Sequence, residues 1–190
     1  MHAIEPYYNW RELYISSEDP DSPFYGRVHS EFEFSDKIYN YYIHPQWDNI
    51  GSPSLFIKVL YTDYHEGFTI IEFIGEWNDL LNNDIMILKR DFIDPMLDLG
   101  IGKFILIGEN ILNFHGSDDC YYEEWFDDLD LGWVCLVNFR DHVLNEMQQV
   151  GIDQYFLMGK MLSDYAWRTM KPTDFFIRVE EVIQKKLPHF

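Results

Sequence analysis

Three observations in the stretch 68–155 predict an α/β fold, a single mixed sheet covered by helices. Short apolar runs rich in Ile, Val and Phe, in FTIIEFI, KFILIGENILNFH and WVCLVNF, have Gly or charge at their ends, as strands buried on both faces do. The segments between them carry helical spacing, first Ile85, Leu88 and Phe92, then Val143, Leu144, Met147 and Val150 with Gly151 as a stop. Strand and helix patterns also alternate along the chain, the order of βαβ units.

Taken in order, residues 1–24 form an arm with Trp10, Leu13, Tyr14 and Ile15, followed by the turn-rich SSEDPDSPF. FYGRVHSEFEF, from Phe24 to Phe34, alternates as a strand does, and IYNYYI, from Ile38 to Ile43, reads as another. Pro45, Gly51 and Pro53 make the next segment a loop anchored by Trp47 and Ile50. LFIKVLYTDY and GFTIIEFI flank His65, Glu66 and Gly67 as a β-hairpin, with strands near 55–62 and 68–74. GEWND breaks the second strand, Asn82 or Asn83 caps a helix near 84–94, and Pro95 ends or kinks it. A strand at 103–107 leads through the loop FHGSDD to a short helix at 119–128. A strand at 133–138, a helix at 141–150 capped by Asp141, and a last short strand at 155–158 follow. The tail is a helix from near Thr173, with Phe175, Val179, Val182 and Ile183 on one face and Lys185 and Lys186 at its end.

With 190 residues, 47% of them hydrophobic, the chain suits one core with an elaboration. Residues 1–54 are expected to be an aromatic-rich β extension packed on a core domain, 55–190. The net charge is −19, and it is uneven: residues 1–159 hold 8 Lys and Arg against 29 Asp and Glu, and residues 160–190 hold 6 against 4. A field of that sign repels phosphate backbones and anionic lipid, so nucleic-acid and membrane partners are disfavoured; basic partners and metal cations stay open, and the plainest role of the acidity is solubility. Cys120 and Cys135 lack metal or CxxC spacing and read as buried reduced thiols. No basic n-region with an apolar run opens the sequence and no stretch is long enough to span a bilayer, so the expected location is the cytoplasm.

From Leu55 to about Leu187 the order strand, strand, helix, strand, helix, strand, helix, strand, helix resembles the STAS domain of sulphate transporters and anti-sigma-factor antagonists. WVCLVNFRDHVLNEMQQVGIDQYF looks like that family's C-terminal half, and FTIIEFIGEWND is placed like its strand, Gly and acidic opening. The resemblance implies a regulatory module that binds a protein partner and is switched by phosphorylation of a Ser in an Asp-Ser-Ser-Gly-like loop. The loop here is FHGSDDCYYEEWF, which puts Ser117 at that position. Asp118 and Asp119 follow it, and their carboxylates would repel a dianionic phosphate. The N-terminal extension lies outside the resemblance.

The same stretch is the most polar of the chain. His115, Asp118, Asp119, Glu123 and Glu124 fall within ten residues, and residues 118–130 hold seven acids and no base. Imidazole and carboxylates of this kind ligate divalent cations, so His115, Asp118 and Asp119 form an alternative metal set for a metal-dependent hydrolase. Against it, Asp118 and Asp119 sit at the helix start and Glu123 and Glu124 a turn later, which favours a solvated acidic helix. On that helix Glu123 shares a face with Asp127, and Glu124 with Asp128, as unpaired like charges. His142 and Glu146 are spaced to meet on one helix face, and His44 and Asp48 flank Trp47 in a loop. No GxSxG elbow, P-loop or GxGxxG occurs, so no cofactor is expected.

These features together point to a non-enzymatic interaction module. Its expected surface is Ser117, Asp118, Asp119, Glu123, Glu124 and Asp127 and its partner another protein, with a basic character of that partner and a homodimer both left open. A small-molecule binder, with a pocket between extension and sheet, is the other alternative.

Overall fold

A computed structural model describes residues 3–186. The chain is a mixed α/β protein whose strands, among the described residues, form two sheets where one was expected. The larger holds β4 (Asp48–Asn49), β5 (Leu55–Asp63), β6 (Phe68–Asn78), β7 (Lys103–His115) and β8 (Trp133–Val137), in that spatial order. β4, β5 and β6 are antiparallel neighbours, while β6, β7 and β8 run parallel. The smaller sheet belongs to the extension: β1 (Ala3–Ile4), β3 (Tyr41–Ile43) and β2 (Lys37–Ile38).

Alternation along the strands sorts the core into two faces. Ile57, Val59, Ile71, Phe73, Phe104, Leu106, Val134 and Leu136 lie on one face, under residues of α2 (Asp84–Leu88), α3 (Asp94–Asp98), α4 (Cys120–Asp128) and α5 (Asp141–Gln149). Leu60, Phe68, Ile70, Ile105, Ile107, Cys135 and Val137 lie on the other. That face is covered by Phe175, Phe176, Val179 and Ile183 of α6 (Pro172–Lys186) and by Trp10 and Trp167. Trp10 donates its indole N–H to the Met170 carbonyl at 3.0 Å, which ties the arm to the segment before α6. A third cluster, Ile38, Ile43, Trp47, Phe56 and Ile74, joins the two sheets. The side chain of Lys186 and residues 187–190 lie outside the described residues, so the basic end of α6 is seen only at the exposed Lys185.

Several elements differ from their sequence patterns. Residues 24–34 form no strand, and Val28 and Phe32 are 96% and 85% exposed. A strand needs a ladder, and the free edge of β5 is taken by β4 through Ile57 and Phe56. The 38–43 run splits into β2 and β3 around Tyr39, whose positive φ of 52 turns the chain. The last strand shrinks to one bridge, in which Leu157 N–H donates to the Val134 carbonyl at 2.8 Å and its own carbonyl accepts from Leu136 at 2.9 Å.

β6 runs on through GEW to Asn78, with register shifts flanking Gly75, and β7 runs on to His115. Gly75 has φ 115, and a Cβ there would sit 2.1 Å from the Ser54 carbonyl oxygen, so only glycine lets the strand pass.

The cap after β6 is Asn78, whose Oδ1 accepts from Leu81 N–H at 3.0 Å and starts α1 (Asp79–Asn82). Asn83 instead turns the chain in the left-handed region between α1 and α2. Pro95 does not end the following helix. A π turn at Lys89–Ile93, in which Asp94 N–H donates to the Lys89 carbonyl five residues back, shifts the hydrogen-bond register just before the proline, which then sits in the first turn of α3. Asp141 lies in the first turn of α5, and Arg140 holds the cap position without a side-chain bond.

Cys135 is buried, as its apolar run implies, but Cys120 is exposed at the start of α4. Both are free thiols, and a carboxylate neighbour, Asp118, raises the pKa of Cys120. A maleimide is therefore expected to label Cys120 in the native protein more slowly than a simple thiol, and Cys135 only after denaturation. Peptide mass spectrometry before and after unfolding checks both. Among the described residues, no helix is long and apolar enough to cross a membrane.

Candidate functional site

The loop 116–119 and α4 stand at the carboxyl ends of parallel strands, where an open α/β sheet presents its connecting loops. Asn78 and His115 are register partners at the ends of β6 and β7, so the strands deliver both residues to one rim. The chain then turns through Gly116, where a Cβ would lie 2.8 Å from Val150 and 2.9 Å from Phe114. Ser117 is exposed beyond that pass. Asp118 accepts a hydrogen bond from the Cys120 N–H at 3.2 Å, and bonds from Cys120 hold its pKa below the usual carboxylate range. Asp119 accepts from the Tyr155 hydroxyl at 2.7 Å, a bond that pushes the Tyr155 pKa up to about 12. Ser117, Asp118 and Asp119 thus share one loop, and Tyr155 buttresses it from the 155–158 segment.

His115 is drawn away from these acids. Its Nε2 lies 3.3 Å from Oε1 of Glu76, on the neighbouring β6, and Glu76 also accepts from Asn78 and from the Tyr39 hydroxyl. The set His115, Asp118 and Asp119 does not gather: among the described residues, the group of side chains spaced to share a cation is Asp94, Glu124 and Asp128, whose oxygens lie within 4.8 Å of one another. That group already surrounds an ammonium. Lys89, its side chain 0% exposed, places Nζ 2.7 Å from Asp128, 3.6 Å from Glu124 and in contact with Asp94. Burial opposes its charge, yet the hydrogen bonds to Asp128 and Asp94 outweigh burial and raise its pKa. Arg90 adds a two-pronged contact to Glu124, at 2.6 and 2.9 Å, and another to Asp94 at 2.9 Å.

α4 therefore has two acidic faces of different character. Glu124 and Asp128, expected to be unpaired, are neutralised by Lys89 and Arg90. Glu123 and Asp127 point outward, exposed and without a side-chain hydrogen bond or ion pair among the described residues. Between them Phe126 is 51% exposed and lies against the Tyr155 ring, centroids 6.0 Å apart. Leu131, just past the helix, is 93% exposed.

The other paired residues serve the scaffold. His142 contacts the Leu112 carbonyl at 2.7 Å and Glu146 accepts from Phe114 N–H at 3.2 Å, so α5 satisfies the part of β7 that runs past the end of β8. His44 accepts from Gln46 N–H at 3.2 Å, whereas Asp48 is buried against His29 at 2.7 Å and Lys58 at 3.2 Å.

Two groups of buried acids had no place in the sequence reading. Asp79 accepts from the Tyr122 hydroxyl at 2.6 Å, the Ile85 N–H at 2.9 Å and the Trp77 indole at 3.2 Å, yet burial pushes its pKa up to about 6. Its neighbour Asp84 is fully buried and raised as well, again by burial. On the other face of the sheet Glu72, 1% exposed, is pushed up to about 7 by burial, although it accepts from Tyr7 N–H at 2.9 Å and pairs with Arg168 at 3.4 Å. Arg168 also reaches Glu109, which takes the Trp167 indole and the Asn138 amide, both at 2.7 Å. The signal for Glu72 was present: a lone acid inside FTIIEFI is a charge in a doubly buried strand. No protein-family model, curated protein or solved structure matches this chain.

Proposed function

We propose that the protein is a non-enzymatic interaction module, of the kind implied by the STAS resemblance, that binds a basic protein partner through the loop at Ser117 and the outward face of α4. The observation that carries the reading is the division of α4. The buried Lys89 and the half-exposed Arg90 take up Asp128 and Glu124, which leaves Glu123 and Asp127 without a cation around the half-exposed Phe126. An exposed aromatic ringed by acids offers both a contact that favours desolvation and a field that steers cations towards it. Asp118, kept ionised, extends that field towards Ser117.

The test compares wild type with Glu123→Lys/Asp127→Lys and with Phe126→Ala. All three changes avoid the Lys89 network, and circular dichroism checks the fold. Tagged protein is cross-linked in its own cells and the linked peptides are identified. The reading expects links from residues 117–131 to a basic partner surface, and partner affinity reduced about tenfold or more by the charge reversal, with weaker salt dependence. Equal retention of the same partners by wild type and both variants would remove this surface from the function.

A further inference from the structure

The small sheet does not seal fully against the large one. Between it and the carboxyl-end halves of β6 and β7 lies a cavity of about 120 Å³, walled by Ile38, Ile43, Ile74 and Leu112 and bordered by Asn110 and Arg140. Its walls are fixed. The Trp47 indole donates to the Ile4 carbonyl at 2.7 Å and the Tyr39 hydroxyl donates to Glu76. Ile38 rests on the bare backbone of Gly75, where its Cδ1 would lie 2.6 Å from a Cβ. The small sheet is thereby pinned at β1, at the turn between β2 and β3, and over β6, which makes the space part of the joint between the sheets. Ile38, Ile43 and Ile74 are buried, and an apolar enclosure of this kind holds water poorly. One of about 150 Å³ takes benzene, so the space here suits a body of about four or five carbon atoms.

Two donors at its border have no partner. The side-chain amide of Asn110 makes no hydrogen bond among the described residues. Arg140 donates from Nε to the Glu109 carbonyl at 3.3 Å, and its terminal nitrogens make neither a hydrogen bond nor an ion pair among the described residues. The acids next to this lining along the chain are turned elsewhere. Glu76 is taken by Tyr39, Asn78 and His115, and Glu109 by Asn138, Trp167 and Arg168. Asp141, which follows Arg140, is exposed and forms no ion pair with it. The guanidinium therefore stands at the mouth of an apolar cavity with its charge uncompensated, in a chain that has acids to spare.

We propose that this cavity binds a short branched aliphatic carboxylate, its body enclosed by Ile38, Ile43, Ile74 and Leu112 and its head held at the mouth by Arg140 and Asn110. A carboxylate brings acceptors alone, which match a guanidinium and an amide N–H. A phosphate would leave the apolar walls unfilled, and a longer chain would exceed the volume.

The experiment titrates protein labelled at the isoleucine δ1 methyls with isovalerate, and with isovaleramide, acetate and inorganic phosphate as probes of head and body. Saturable shifts at Ile38, Ile43 and Ile74 are expected with isovalerate, with a Kd at or below about 1 mM. Acetate lacks most of the body and should bind about thirtyfold more weakly or worse. Isovaleramide should bind about fivefold more weakly than isovalerate. Arg140→Gln, a change at an exposed side chain, should weaken isovalerate about fivefold and leave isovaleramide as it was, a split that a merely structural role would not give. Leu112→Trp, its fold checked by circular dichroism, should weaken both ligands by filling the body site. Glu123→Lys/Asp127→Lys should bind as wild type does, which separates this cavity from the surface of α4. Absence of saturation, equal affinity for acetate or phosphate, shifts centred elsewhere, or unchanged isovalerate affinity in Arg140→Gln would each overturn the proposal.

Discussion

Lys89→Ala is expected to destabilise the protein by about 3–5 kcal/mol, measured by chemical denaturation at pH 7. The loss has two sources. Removing a fully buried lysine stem leaves a cavity under the π turn, and removing the ammonium leaves Asp94, Glu124 and Asp128 facing one another. The three carboxylates are between 31% and 47% exposed, so water recovers part of the electrostatic cost. Lys89→Met keeps the stem and isolates the charge, and it should lose about 1–3 kcal/mol. The vacated triad should then accept a hard divalent cation, so millimolar Ca²⁺ should raise the melting temperature of both variants and leave wild type unmoved. A wild-type response to Ca²⁺ of equal size would mean that Lys89 is not the cation of this cluster.

The pH dependence should be unusual for so acidic a chain. Glu72 and Asp79 hold their protons more tightly folded than unfolded, with pKa values of about 7 and about 6 against ordinary values of 4.5 and 3.8. The folded state therefore binds more protons in the window between those values, and stability falls as pH rises from about 5 to about 8. At 1.36 kcal/mol per pH unit, each group accounts for up to ~3 kcal/mol, both being almost fully buried. Below about pH 4 the sign reverses, because Asp94 and Glu109 have lowered pKa values and their ion pairs are lost on protonation. The maximum is thus expected near pH 5. Glu72→Gln and Asp79→Asn should each flatten the decline towards pH 8, which distinguishes these two groups from the general repulsion of a −19 chain. A flat or rising wild-type profile between pH 5 and 8, or unchanged slopes in both variants, would contradict the assignment.

The parts of the fold that were legible are those set by local pattern. The hairpin around Gly67, the apolar runs of β7 and β8, the period of α5 and the acidic start of α4 all appear where sequence spacing puts them, because side-chain periodicity is a property of neighbours along the chain. The strand pattern at 24–34 misled because alternation says nothing about whether a free edge exists to receive it. Pro95 misled because a five-residue π turn just before it shifts the hydrogen-bond register, so that the proline falls in the first turn of the next helical segment, where its missing N–H does not end the helix. For the candidate site, Ser117, Asp118, Asp119, Glu123 and Asp127 were readable as an exposed polar stretch. The partners of Glu124 and Asp128 were not, since Lys89 and Arg90 lie more than thirty residues away and meet α4 only through packing.

By itself, then, the sequence determined the alternation of strand and helix, the burial of the central strands and the acidity of the surface, all consequences of composition and short-range spacing. Only the tertiary structure decided which charges are spent and which are free. Whether an acid meets a cation, as Asp128 meets Lys89, or is forced to keep its proton, as Glu72 is, depends on distances of a few ångströms between segments far apart in the chain, and on how much water the packing leaves around them.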